Sequence, residues 1–517
     1  MGSLLRQLKW FRGALSFVLA AVLVVATISV ADASSIGSPS LSVSSLSATA
    51  TRVTYSAIFV ATSGLSAGSS TITLIGPTGT VFAPTIGCSP YVVINDTTGQ
   101  SSGCLSATVT GGNQVVITTS ISANPGDLFT VVANNVANTS STGSQNLSVS
   151  TSVDTTPVNL PFTLTAPSTI TSGKFVPSSK SATATEVTYS FSFTANNALS
   201  AGYSTITLVG PAGTVFAPNI GCAPYVVIDD TTGQASGCLT AAVTGGNQVV
   251  ITTPISARKG DRVTVLADGV ANSSTIGTLA ITLATSSDPA TVSFALKLVA
   301  ATAVTGATLV PSSTSATATN VTYSVSFISK GGLTAGYSTI TLIGPSGTVF
   351  APTNGCSPYV VIDAITGQSS GCLTATVTGG NQVVITTPLS VNKGDVVTVL
   401  ANKVTNSSST GSQTLTLFTS SNPKPVVLTL HLVAPTSVSS AQLHLSSTLH
   451  GAVNVTYSTT FVVTNGLTAG YSTFTLIGPS GTVFAPTVGC APYVVIDDTT
   501  GQSSGCLTAT VTGGNQV

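Results

Sequence analysis

Eight cysteines are the first residues whose spacing could do chemistry. They fall at Cys88, Cys222, Cys356 and Cys490, and again at Cys104, Cys238, Cys372 and Cys506. Both series step by 134 residues every time, and each pair reads C-x15-C. The intervening PYVVINDTTGQSSG of the first pair has the pattern strand, turn, return strand, which brings its two ends together. In an exported chain an even, evenly placed set of cysteines reads as disulfides. Partners in neighbouring copies lie more than 100 residues away, and loop closure favours the nearer partner. Local bridges Cys88–Cys104, Cys222–Cys238, Cys356–Cys372 and Cys490–Cys506 are therefore expected, with bridges between copies or free thiols as the alternatives. Closing a loop of this size is worth about 3 kcal/mol in the chain-entropy model. A zinc site would need further ligands, and no histidine precedes His431.

Other chemistry finds less to work with. The acidic pair Asp229-Asp230 returns as Asp497-Asp498, but its equivalents are Asn95-Asp96 and Asp363-Ala364. Calcium takes six to eight oxygens, commonly with several carboxylates, so an Asx turn before T-T-G is the expected role. His431, His444 and His450 cluster around the entry to the last copy, with no repeated acid or nucleophile beside them. No base–nucleophile motif and no pair of carboxylates for glycoside chemistry emerges. Lys174 becomes Ser40, Thr308 and Gln442 in the other copies, so no Lys–Asn crosslink is built into the repeat. Catalytic, metal and cofactor residues are thus expected to be absent, and the chain is expected not to be an enzyme. Tyr203, Tyr337 and Tyr471 follow a glycine at a strand start, where copy one has Ser69. They fit either buried packing or an adhesive contact shared by three copies. The T-x-T of Thr205 and Thr207 is too sparse for an ice-binding array. Sequons such as Asn320-Val-Thr322 and Asn454-Val-Thr456 would accept glycans in a suitable host.

Composition says where such residues would be held. The 517-residue chain has 5% charged residues and 42% hydrophobic ones, too uncharged and too apolar for disorder. Fourteen basic residues are balanced by thirteen Asp and the single Glu186, so there is no nucleic-acid footprint. The scarcity of good helix formers argues against bundles and coiled coils. At the N-terminus Arg6, Lys9 and Arg12 precede an uncharged stretch from Gly13 to Ala31, followed by Ala31-Asp32-Ala33. Residues 1–33 therefore read as a secretory signal cleaved after Ala33. The apolar stretch is longer than usual, which leaves an uncleaved anchor as the alternative. Either way the remainder lies outside the cytoplasm, and membrane contact comes only through that segment if it stays attached. Removing it leaves 11 basic and 13 acidic residues, net −2, and takes away Trp10, the one tryptophan.

The elements repeat with the cysteines. GYSTITLVGPAGTVFAP at 202–218 returns as GYSTITLIGPSGTVFAP from 336, as GYSTFTLIGPSGTVFAP from 470 and as GSSTITLIGPTGTVFAP from 68. The frames are 34–168, 169–302, 303–436 and 437–517, the last about 53 residues short of a period. Val517 stands where Val115, Val249 and Val383 stand, inside the strand QVVITT. The fourth copy is therefore expected to be truncated, lacking the counterparts of Val384 through Leu432. In the second copy Val187, Tyr189, Phe191 and Phe193 alternate with Thr188, Ser190, Ser192 and Thr194, a strand with one buried face. Gly245-Gly246-Asn247 marks a hairpin, and Tyr225–Ile228 and Leu239–Val243 flank the turn DDTTG. Eight or nine short antiparallel strands per 134 residues predict a two-sheet sandwich. A β-solenoid would need a period nearer 20–30 residues. Copies are expected to meet end to end through linkers such as Ala166-Pro167 and Ala434-Pro435.

The order "alternating strand, L-x-A-G-x-S-T-I-T, G-P-x-G-T-V, N-Q-V-V-I-T, K-G-D-x-V-T-V, N-S-S…G" resembles the Ig-like repeats of bacterial surface proteins and adhesin stalks, across nearly the whole mature chain. The resemblance implies an all-β tandem array of Ig-like antiparallel sandwiches. It also implies a secreted or surface-displayed, non-enzymatic spacer with multivalent binding to a cell-surface or matrix ligand. The alternative is an accessory or carbohydrate-binding array of an exported enzyme whose catalytic domain lies further along the reading frame.

Overall fold

The computed structural model describes residues 34–87, 90–222, 224–353, 358–371, 373–489 and 492–517. The N-terminal segment 1–33 and Cys88, Cys356, Cys372 and Cys490 lie outside the described residues. Among the described residues every regular element is a β-strand.

Repeat 1 contains β1 (Gly37–Val43), β2 (Val53–Val60), β3 (Thr71–Ile75), β4 (Tyr91–Asn95) and β5 (Gln100–Ser101). It continues with β6 (Ser106–Thr110), β7 (Gln114–Thr118), β8 (Leu128–Val136), β9 (Gly143–Thr151) and β10 (Val158–Leu164). They form two five-stranded sheets, ordered β1-β2-β8-β4-β5 and β10-β9-β3-β7-β6, with antiparallel pairing throughout. Repeat 2 has the same two five-stranded sheets, and repeat 3 has one of four strands and one of five. Each complete repeat is thus an Ig-like β-sandwich, and the chain is a tandem array of them. Pairing that closes within each repeat is incompatible with a solenoid.

The alternation forecast in repeat 2 is realised: Val187, Tyr189, Phe191 and Phe193 are all at most 1% exposed. In the opposite sheet Ile206 and Leu208 are fully buried against them. Phe175 stacks on Phe191 with ring centroids 4.7 Å apart, and Phe294 meets Phe191 edge-on at 5.8 Å, favourable geometries for aromatic quadrupoles. The Gly245-Gly246-Asn247 loop joins Thr240–Thr244 to Gln248–Thr252. Both glycines have φ near +60 to +80°, the left-handed region a tight hairpin needs and a Cβ opposes.

One pairing differs from expectation. Tyr225–Asp229 pairs with Arg262–Val270 and with the two-residue strand Gln234–Ala235, whereas Thr240–Thr244 belongs to the other sheet. The chain turns at DDTTG, pairs briefly, then crosses between layers. The return strand is short because Ser236-Gly237-Cys238 must carry the chain across the sandwich edge.

Repeat 4 has only two small sheets, Ser439–Leu445 with Tyr457–Val462 and Ile496–Asp497 with Gln502–Ser503. Its apolar residues are uncovered. Leu467 is 49% exposed where its equivalent Leu333 is 2%, and Phe474 is 39% where Ile340 is 0%.

The described chain divides into two compact units. One runs to Pro177 and resumes over Thr188–Leu298; the other comprises Ser178–Val187 and Val299–Val517.

Candidate functional site: repeat junctions and the residues around them

Within the first unit, the segment between β1 and β2 meets two loops of repeat 2. Thr51 N–H donates to Ser286 O at 2.8 Å, and the buried Ser45 Oγ donates to Ser287 O at 2.7 Å. Ala198 N–H donates to Ser44 O at 3.1 Å, and Thr54 Oγ1 lies 3.0 Å from Ser200 Oγ. Arg52, at φ 57°, sends Nη1 to Tyr203 O at 3.2 Å. The linker is tied as well, since Ser168 N–H donates to Ser47 Oγ at 2.8 Å.

In the second unit several of these contacts recur at equivalent residues one or two periods later. Ser178–Val187 docks on repeat 3: Thr185 N–H donates to Ser420 O at 2.9 Å and Ser179 Oγ to Ser421 O at 2.8 Å. Repeats 3 and 4 meet through Thr314 N–H to Asn465 Oδ1 at 3.3 Å, and Thr322 Oγ1 to Thr468 Oγ1 at 3.2 Å. Serine and threonine suit these positions because short hydroxyl side chains satisfy neighbouring backbone groups at little entropic cost.

A second recurring device fixes the start of each sandwich. Asp154 is fully buried. Its carboxylate accepts from Ser34 Oγ at 2.7 Å, Thr62 Oγ1 at 2.7 Å and the N–H groups of Thr62 and Ser63 at 3.1 Å. Burial pushes this carboxyl up, but the hydroxyls of Thr62, Ser34 and Ser63 and the Ser63 N–H outweigh it and hold it below the usual carboxylate range. In repeat 2 Asp288 accepts from Ser168 Oγ and Asn197 Nδ2, both at 2.7 Å. In repeat 3 the position is Asn422, which accepts from the N–H groups of Lys330 and Gly331 and donates Nδ2 to Thr302 Oγ1 at 2.8 Å. Sequence reasoning overlooked these residues, although their one-period spacing was open to view.

The expected site residues are placed as follows. Cys222 and Cys238 form a disulfide with Cα atoms 4.0 Å apart. It ties the entry to Tyr225–Asp229 in one sheet to the entry to Thr240–Thr244 in the other, so it staples layers rather than a hairpin. Cys104 and Cys506 are also disulfide-bonded; the remaining four cysteines are those outside the described residues.

Tyr203, Tyr337 and Tyr471 are half-buried beside the junctions. Tyr203 O takes the Arg52 guanidinium, and Lys403 Nζ stands 5.8 Å from the Tyr471 ring centroid, within cation–π range. Ser69, their counterpart in repeat 1, is exposed.

Asp229 Oδ1 accepts from the N–H groups of Thr231 (2.9 Å) and Thr232 (3.3 Å), an Asx turn. Asp230 instead accepts from Thr264 Oγ1 at 2.7 Å and faces Arg262 Nε at 3.6 Å. His431, His444 and His450 are exposed, the first two on different strands. Among the described residues no three His, Cys, Asp or Glu side chains gather as a metal group, and no helix is long and apolar enough to cross a membrane.

No family model matches this sequence, and no curated protein matches it. Among solved structures, the chain is similar to the serine-rich repeat adhesion glycoprotein Srr1 from Streptococcus agalactiae. Identity is 11% and the TM-score 0.20, over 52% of this chain and 98% of that one. It is also similar to the collagen adhesin CNA from S. aureus, with 13% identity and TM-score 0.17 over 52% and 93% of the two chains. The C-terminal domain of the antigen I/II-family protein AspA from Streptococcus pyogenes is similar at 7% identity and TM-score 0.19, over 50% and 98%.

Proposed function

We propose that this protein is an exported, non-enzymatic surface rod or spacer whose repeated sandwiches hold or present a binding surface away from the cell. One observation carries the reading: several hydrogen bonds at the junction of repeats 1 and 2 recur at equivalent residues, four of them one period on and others, such as Thr436 N–H to Ser315 Oγ, two periods on. A linker of free modules needs no such contacts. A spacer that resists bending does, because each junction must fix the next sandwich against thermal rotation. Near-identical modules also supply avidity, since linked weak sites reinforce one another without new contacts. The half-buried tyrosines fit this role as junction packing, with their exposed edges left for a cell-surface or matrix ligand.

Small-angle scattering on residues 34–436 tests the reading. A strand of a dozen residues at about 3.3 Å each gives roughly 40 Å per module, so three modules should reach on the order of 120 Å. A compact globule would count against a rod. Hydrolase activity arising from the repeats themselves would sink the non-enzymatic reading.

A further inference from the structure

Ser34 opens the fold of repeat 1. Its carbonyl accepts from Thr156 N–H at 3.0 Å. Its hydroxyl lies 2.7 Å from Asp154 Oδ1, 3.1 Å from Ser63 Oγ and 3.3 Å from Val153 O. Asp154 is a fully buried anion whose hydrogen-bond donors are all neutral. The segments packed around it, Ser34–Gly37, Ala61–Leu65 and Thr151–Thr156, contain no other Asp, Glu, Lys, Arg or His. The adjoining turn brings only Asp127, whose Oδ2 is taken by Asn95 Nδ2 and Asn124 N–H, each at 2.9 Å.

The later repeats show what this position does inside a continuous chain. Ser168, Thr302 and Thr436, one, two and three periods after Ser34, each donate their backbone N–H to a serine hydroxyl 121 residues earlier, at 2.8, 2.7 and 2.9 Å. Residues 1–33 are not a copy of the repeat and offer no equivalent of Ser47. Hydrolysis of the Ala33–Ser34 bond by a signal-type peptidase adds one water: Ala33 leaves with the carboxylate, and the Ser34 nitrogen takes up a proton. A serine nitrogen sits within about 4 Å of its own Oγ, and that Oγ is 2.7 Å from Asp154 Oδ1, so the new charge lies no more than about 7 Å from the carboxylate. At that range the charges attract, because Asp154 is buried although Ser34 itself is only half-buried.

We propose that removal of residues 1–33 creates an ion pair between the Ser34 α-ammonium and Asp154, so that processing itself tightens the first edge of repeat 1. The inference rests on the exported reading above, and its test separates the two. The first measurement is the N-terminal mass of the secreted protein: a start at Ser34 is expected, and any other start overturns the processing step. The second uses the chain Ser34–Val517 with its α-amine free or acetylated, unfolded thermally at pH 6.5 and pH 9.5. An α-amino group ordinarily titrates near 7.7–8.0. Pairing raises this value in the folded state, so its stability is fully present below the ordinary range and is lost as pH rises through the raised folded value. The free-amine form should therefore melt about 2 °C or more above the acetylated form at pH 6.5, and the gap should close at pH 9.5. In Asp154→Asn the gap should be absent at both values, and this variant is expected to fold because Asn422 already fills the same place in repeat 3. Equal midpoints at pH 6.5, or a gap that survives Asp154→Asn, would overturn the ion pair while leaving export untouched.

Discussion

The Tyr55 hydroxyl donates to Oδ1 of Asn138 at 2.8 Å, deep in repeat 1 and across 83 residues of sequence. Asn138 in turn donates Nδ2 to the carbonyls of Ser45 and Ser47, at 2.9 and 2.8 Å. The pair returns as Tyr189–Asn272 and Tyr323–Asn406, both at 2.7 Å. It clamps the segment before β2 to the end of β8, and that segment carries the junction residues Ser45 and Thr51. Burial pushes the Tyr55 phenol well up, against a smaller downward pull from Thr80, so it stays a donor at any physiological pH.

Tyr55→Phe should therefore cost about 1–3 kcal/mol, because it leaves a buried amide oxygen without its donor. Asn138→Ala should cost more, since two carbonyls lose their donor as well. Chemical denaturation of the three complete repeats would measure both. A change within error for Asn138→Ala would mean the clamp is not a structural element.

Acid should loosen the start of repeat 1. The Asp154 carboxyl is held below its unfolded value, so its contribution is fully present above the ordinary Asp range near 3.9 and fades as pH falls through the folded value. Asp154→Asn should flatten this acid limb, and Asp154→Ala should lower stability at neutral pH by leaving the Thr62 and Ser63 N–H groups unpaired. Thermal melts between pH 2.5 and 6 would separate the variants. An unchanged acid limb in Asp154→Asn would show that other carboxylates govern it.

Each complete repeat should carry its own disulfide: Cys88–Cys104, Cys222–Cys238 and Cys356–Cys372. Non-reducing peptide mapping should return these three and no peptide joining different repeats. Replacing Cys222 and Cys238 with serine should cost roughly 2–4 kcal/mol in repeat 2, because the bridge holds the two sheets at their crossover. A loss below a few tenths of a kcal/mol would mean strand pairing alone keeps the layers together.

Residues 437–517 produced alone should be unfolded or aggregated, whereas 303–436 should fold. In repeat 3 the core positions are covered by Val396–Val404, Gly411–Thr419 and Val426–Leu432, and residues 437–517 contain no counterparts. At about 25 cal/mol per Å2 the missing burial exceeds the few kcal/mol a small domain holds in reserve. Cooperative unfolding of monomeric 437–517 by circular dichroism would refute the strand assignment of the repeat.

The sequence by itself determined the period, the sandwich and its inner faces. Alternation such as Val187, Tyr189, Phe191 and Phe193 leaves a strand only one face to bury, and four parallel copies remove the ambiguity of any one. It also pointed to the Cys222–Cys238 bridge, because a short loop closes more readily than a long one. The sheet to which a strand belongs was decided only by the tertiary structure. Thr240–Thr244 follows a turn and looks like a returning partner, yet it pairs with Gln248–Thr252 in the opposite layer, through the tight Gly245-Gly246-Asn247 hairpin. The junctions likewise were invisible, because Ser45, Ser168 and Asp288 are ordinary turn-forming residues until the fold brings them to partners up to 242 positions away in sequence. Local pattern fixes which face of a strand is buried; only packing across layers and between repeats decides what a hydroxyl or a carboxylate will find there.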